Sequence, residues 1–85
     1  MQMGKKDERS IREEVAAIQH SIWAHWMKYL FRVSIHNPDG SVTVPAEQAE
    51  RWMQQVETAY QDLSEHEKDS DREQADKILV VLNDL

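Results

Sequence analysis

The 85-residue chain contains no cysteine, two glycines, two prolines and a single phenylalanine. Without cysteine there is neither a disulfide nor a thiolate metal site. A chain this close to the lower size limit for a self-sufficient core must then be held by packing, helix caps or oligomerisation. With glycine only at positions 4 and 40, no glycine-rich phosphate loop can form. No apolar run approaches the roughly 20 residues of a membrane span. The start, Met1-Gln2-Met3-Gly4-Lys5-Lys6, has no apolar segment behind its lysines and does not read as a secretory signal. A cytoplasmic protein without a membrane partner is the expectation. Positive charge is also scarce: ten Lys and Arg face sixteen Asp and Glu, a net charge of −6. Residues 1–43 hold six basic and five acidic side chains, and residues 44–85 hold four and eleven. An acidic chain is a poor ligand for a phosphate backbone, so duplex nucleic acid is not an expected partner. One or two local cations can still hold a small phosphorylated ligand.

What is present is helical periodicity. Residues 1–9 are polar and read as a flexible tail, and residues 10–85 as one domain. Ser10 and Glu13 have the spacing of a capping box that opens a long helix. Ile11, Val15, Ile18, Ile22, Trp26 and Leu30 form one apolar stripe along it, with Ala16, His20, Trp23, Met27 and Leu30 as a second beside it. The apolar face is wide, as for a helix that touches two neighbours or another copy of the chain. Val33 and Ile35, then Val42 and Val44, alternate with polar residues around Asn37-Pro38-Asp39-Gly40, which predicts a hairpin near residues 32–44. Pro45 suits the first turn of a second helix, buried through Ala49, Trp52, Met53 and Val56. Ser64 and Glu67 form a second capping box at the start of a third, in which Glu73 and Lys77 are spaced for an ion pair. The fold class predicted is α+β: three helices and a small hairpin.

Chemistry is hard to place on this chain. No serine or cysteine nucleophile stands beside a base, and no carboxylates pair in an apolar context, so an enzyme is not expected. His20 and His25 point to different faces, and His36 and His66 lie in other elements, which argues against a metal site. Asp69-x-Asp71-x-Glu73 has calcium-loop spacing but lacks the required glycine. No cofactor is implied. The most unusual feature is in the third helix. Ala75, Ile78, Leu79 and Leu82 mark an apolar face, and counting back along it reaches Asp71 or Arg72 and then Lys68. Charges on a core-facing side are unfavourable unless paired or used. They can form an internal anchor, with Arg72 paired to a carboxylate of another helix such as Glu50. Alternatively, Lys68 and Arg72 grip a phosphate or carboxylate, or the three charges are a solvated face. The aromatic residues of the first helix are most simply core; the alternative is that Trp23, beside His20, stacks on a planar ligand in a pocket completed by Trp52 and Tyr60.

Two strings carry a family likeness. His20-Ser21-Ile22-Trp23-Ala24 reads H-x-x-W-A, and Tyr60 to Arg72 reads Y-x-x-L-x-E-x-E-K-x-x-D-R. Together and in this order they resemble the ryanodine-receptor repeat (RyR) domain, over roughly residues 11–82. The glycine-, tryptophan- and proline-rich stretch that the family carries before its tyrosine is absent here. The resemblance implies a non-enzymatic module of the small single-domain type found among phage and prophage proteins. It would recognise a nucleotide-derived small molecule, and a phage-encoded copy would act in the host cytoplasm, sequestering a defence signal. On that reading His20, Trp23, Tyr60, Lys68 and Arg72 bind the ligand. Ser10, Glu13, Ser64, Glu67 and Asp71 anchor the fold, and a lone copy self-associates. The alternative is a protein-interaction or assembly module with no small-molecule ligand.

Overall fold

The computed structural model describes residues 7–84. The elements follow in the order α1 (Glu8–Val33), β1 (Ile35–His36), β2 (Val42–Thr43), α2 (Ala46–Val56) and α3 (Glu65–Asn83), with one turn of 3-10 helix at Tyr60–Asp62. The α+β class expected from the periodicity is the class observed, and the molecule is mostly helical.

The helix ends show where local sequence rules held and where a competitor prevailed. Of the expected tail at 1–9, residues 1–6 lie outside the described residues, and α1 already begins at Glu8. Its cap is Asp7, whose Oδ1 accepts a 2.7 Å hydrogen bond from the Ser10 amide. Ser10 and Glu13 are therefore inside the helix and form no capping box. Aspartate caps as well as serine does, and starting earlier adds a turn whose Glu8 suits the positive end of the helix dipole. At the other end Val33, whose alternation with Ile35 reads as strand, closes α1. The Ser34 amide and hydroxyl both donate to the Leu30 carbonyl, at 3.1 and 2.6 Å, and stop the helix there.

The hairpin is short. Ile35 pairs with Thr43 and His36 with Val42 in an antiparallel ladder. Its turn is closed by the Gly40 amide donating to the Asn37 carbonyl at 3.1 Å, with Gly40 at φ +91°, which an L side chain rarely adopts. Asp39 Oδ1 accepts from the Ser41 amide and hydroxyl, at 2.9 and 2.6 Å. His36 Nε2 lies 2.8 Å from the Phe31 carbonyl and ties the hairpin to the end of α1. Pro45 occupies the cap position of α2, one residue before its first turn. At α3 the expected box is fully formed. Ser64 Oγ accepts from the Glu67 amide at 3.1 Å, and Glu67 Oε1 accepts from the Ser64 amide at 3.1 Å.

Packing departs from the sequence reading in three places. First, α1 packs on α3, but α3 is turned by about one residue from the expected face. Gln74 and Val81 are buried and Ile78 half-buried, while Leu79 and Leu82 remain 48% and 46% exposed. Gln74 is accepted on the inner line because Lys77 Nζ donates to its Oε1 at 2.8 Å, which also takes Lys77 away from its expected pairing with Glu73. Second, α2 touches α1 and α3 only sparsely, through the Tyr29–Trp52 ring contact at 6.2 Å and a 2.5 Å hydrogen bond from Gln55 Nε2 to Glu67 Oε2. Its inward side carries Ala49, Trp52 and Gln55, whereas Met53 and Val56 are 63% and 83% exposed. Third, the aromatic residues of α1 are not a core. Trp23, Trp26 and Phe31 are all exposed, and Tyr29 is half-buried. Among the described residues only Ser34, Gln74 and Val81 are buried.

Candidate functional site: an open aromatic cleft

The three helices meet the solvent across a wide trough, because α2 stands away from the α1–α3 pair. The trough has a volume of about 1470 Å³ and is open to solvent. His25, Trp26, Tyr29 and Arg32 supply the α1 wall. Arg51, Trp52, Gln55 and Val56 supply the α2 wall, Tyr60 and Leu63 the end, and Ser70, Asp71, Glu73 and Gln74 the α3 wall.

Each wall is shaped locally. On α1, Tyr29 and Arg32 are three apart and so lie on one face; the Arg32 guanidinium sits 5.2 Å over the Tyr29 ring. Tyr29 in turn meets Trp52 edge to face, and His25 meets Trp26 the same way at 4.8 Å. Across the trough, Glu67 joins two helices through one carboxylate. Oε1 serves the cap, Oε2 accepts from Gln55, and these bonds hold its pKa below the ordinary carboxylate value, Gln55 contributing most. Five charges lining the trough form no ion pair among the described residues: Lys28 and Arg32 on the α1 wall, and Glu67, Asp71 and Glu73 on the α3 wall.

The residues expected to bind a ligand fall into two groups. His20 and Trp23 stack on each other at 5.8 Å on the exposed side of α1, outside the cleft. Tyr60 lines the cleft end, and Lys68 Nζ lies 5.8 Å over its ring. Lys68 also reaches Glu65 at 3.7 Å. Arg72 does not reach Glu50 or any other helix: its guanidinium bonds Glu65 at 2.8 Å and Asp69 at 2.9 Å, on the surface of α3. Those two acids raise the pKa of Arg72, and Arg72 with Lys68 lowers that of Glu65. Among the described residues no hydrogen bond, ion pair or ring contact joins His20 or Trp23 to Tyr60, Lys68 or Arg72. The one-residue turn of α3 is part of the reason: it carries Arg72 to the outside, where Glu65 and Asp69 satisfy it, while Lys68 stays largely covered, its side chain 16% exposed beside Tyr60. Among the described residues Asp71 makes no anchoring hydrogen bond or ion pair, and it faces the cleft.

The sequence reading missed the residues that do converge, namely Trp26, Tyr29, Arg32 and Val56. Spacing places Trp26 in the core stripe, and nothing local distinguishes a stripe that meets a neighbour from one that faces a gap. No group of three or more His, Asp or Glu among the described residues is arranged to hold a metal ion, and no described helix is long and apolar enough to cross a membrane. No family model, curated protein or solved structure matches this chain.

Proposed function

We propose that the chain is a non-enzymatic assembly module that receives a polypeptide in its open aromatic cleft. The observation that carries this reading is the size and lining of the cleft. Small-molecule sites enclose about 300–1,000 Å³ and bury most of their ligand. This one is larger and unroofed, at about 1470 Å³. About three turns of helix, with a cross-section near 10 Å, fill such a volume. Its lining of Trp26, Trp52, Tyr29, Tyr60 and two arginines has the composition of interaction hot spots, in which aromatic residues and arginine dominate.

The test is site-specific photo-crosslinking in the producing cell, with Val56→benzoylphenylalanine in the cleft and Asp76→benzoylphenylalanine on the exposed side of α3. The expected result is a stoichiometric protein adduct from position 56 and none from position 76. No protein adduct from position 56 would sink the reading. A nucleotide-type ligand is the second reading, favoured by the cation over the Tyr60 ring. It predicts calorimetric heat with cyclic dinucleotides, adenine nucleotides or ADP-ribose derivatives, and no adduct at position 56.

A further inference from the structure

We infer, on the basis of the assembly reading, that the polypeptide occupying the cleft is a second copy of this chain. The first argument is surface area. A compact 10.0 kDa protein exposes about 5,200 Å² and has a radius of gyration near 12 Å. This chain exposes 7083 Å² and has a radius of gyration of 17.3 Å. Even granting the seven residues outside the described range a full exposure of about 170 Å² each, the remainder exceeds its compact value by about 1,000 Å². Two copies covering that excess bury about 2,000 Å², the range of obligate homodimers. The shortfall belongs to the chain wherever it folds, and the partner present wherever it folds is another copy.

The second argument is the arrangement of charge. In a two-fold interface each residue meets its counterpart's complement, so a self-pairing surface must carry both signs in separate places. Here Lys28 and Arg32 on the α1 wall, and Glu67, Asp71 and Glu73 on the α3 wall, form no ion pair among the described residues. Turning a second copy through a half-rotation sets the Lys28 wall of each against the Asp71 and Glu73 wall of the other. The exposed apolar residues of the trough, Trp26 at 38% and Val56 at 83%, then become the centre of the interface.

Sedimentation equilibrium of the full chain from 1 to 100 µM tests this. The expected mass at the upper end is twice the 10.0 kDa of one chain. The thermal midpoint is expected to rise with concentration, since a hundredfold increase adds RT ln 100, about 2.7 kcal/mol, to a dimer's stability. Val56→Glu changes a side chain that is mostly exposed in one chain, so it is expected to lower the association constant at least a hundredfold. Should that variant fail to fold alone, the charge pair decides. Lys28→Glu is expected to weaken association about tenfold, and Lys28→Glu with Glu73→Lys to restore it. A folded wild-type chain of 10.0 kDa with a concentration-independent midpoint overturns the self-pairing. The assembly reading then rests on the adduct at position 56, whose mass would be that of a different protein. A dimer unaffected by Val56→Glu, or a double charge variant no better than the single one, overturns the cleft as the interface.

Discussion

Ser64→Ala, set beside Ser10→Ala, tests which of the two capping boxes suggested by the sequence the fold uses. Two capping boxes can be read from the chain, and only one forms. Ser64 Oγ accepts from the Glu67 amide at 3.1 Å and donates to Glu67 Oε1 at 2.8 Å. Removing the hydroxyl leaves an amide of the first turn of α3 without its partner, which in helix caps costs about 1 kcal/mol and up to about 2. It also loosens the Glu67 carboxylate, whose other oxygen holds Gln55 of α2. An 85-residue chain has an unfolding entropy of roughly 180 cal/mol/K, so about 1 kcal/mol lowers the midpoint by roughly 6 °C. Ser10→Ala is the internal comparison. Ser10 gives its backbone amide to Asp7 Oδ1, and its hydroxyl adds only a lesser contact to the same exposed carboxylate; alanine keeps the amide. Its midpoint is expected to stay within about 1 °C of wild type, or to rise slightly, because alanine is the better helix former. The assay is thermal unfolding by circular dichroism, with all three proteins at one concentration. Equal losses from the two variants, or a larger loss from Ser10→Ala, would refute the assignment of the caps.

Further outcomes follow from the same contacts. Hydrogen bonds hold the carboxyls of Glu67 and Glu65 below their ordinary 4.5 and those of Asp7 and Asp39 below their ordinary 3.8. Depressed folded values stabilise the protein above the ordinary values, and that stability is lost as pH falls through the folded ones; urea midpoints are therefore expected to be level from pH 7 to 5 and to drop below about pH 4.5. A rise in stability on acidification would contradict this. Gly40→Ala places a side chain at φ +91° with no atom within 4 Å to clash, so its cost is purely conformational, about 1 kcal/mol, read as a midpoint lowered by roughly 6 °C with α1 intact. Arg72→Ala breaks only exposed pairs with Glu65 and Asp69, so its melting curve is expected to overlay wild type. A large loss there would restore the internal-anchor reading.

Much of the fold was legible before any coordinate. The three helices follow from apolar spacing, the hairpin turn from Asn37-Pro38-Asp39-Gly40, and the α3 cap from Ser64 and Glu67. These are interactions between residues a few positions apart, and the sequence states them directly. The errors share one physical cause. Whether Asp7 or Ser10 caps α1, and whether Val33 is helix or strand, are contests between local options of similar free energy. Which face of α3 turns inward is decided by its packing on α1, which leaves Gln74 and Val81 buried and Ile78 half-buried, not by the stripe of Ala75, Leu79 and Leu82 alone.

The candidate site was less legible, because it is a gap. Spacing assigns Trp26, Trp52 and Val56 to buried faces, but it cannot say whether a neighbour exists to bury them. The string at Lys68, Asp71 and Arg72 looked like a core-side oddity. A turn of about one residue carries Arg72 outward to Glu65 and Asp69, and leaves Asp71 facing the trough. The helices, the turn and the acidic balance follow from the order of residues alone, since propensity, capping and charge are properties of neighbouring residues. That α2 stands off, that an aromatic cleft lies open, and that one chain leaves its apolar faces in water emerge at the level of helix packing. Those outcomes depend on how far apart packed helices come to rest, and no local rule fixes that distance.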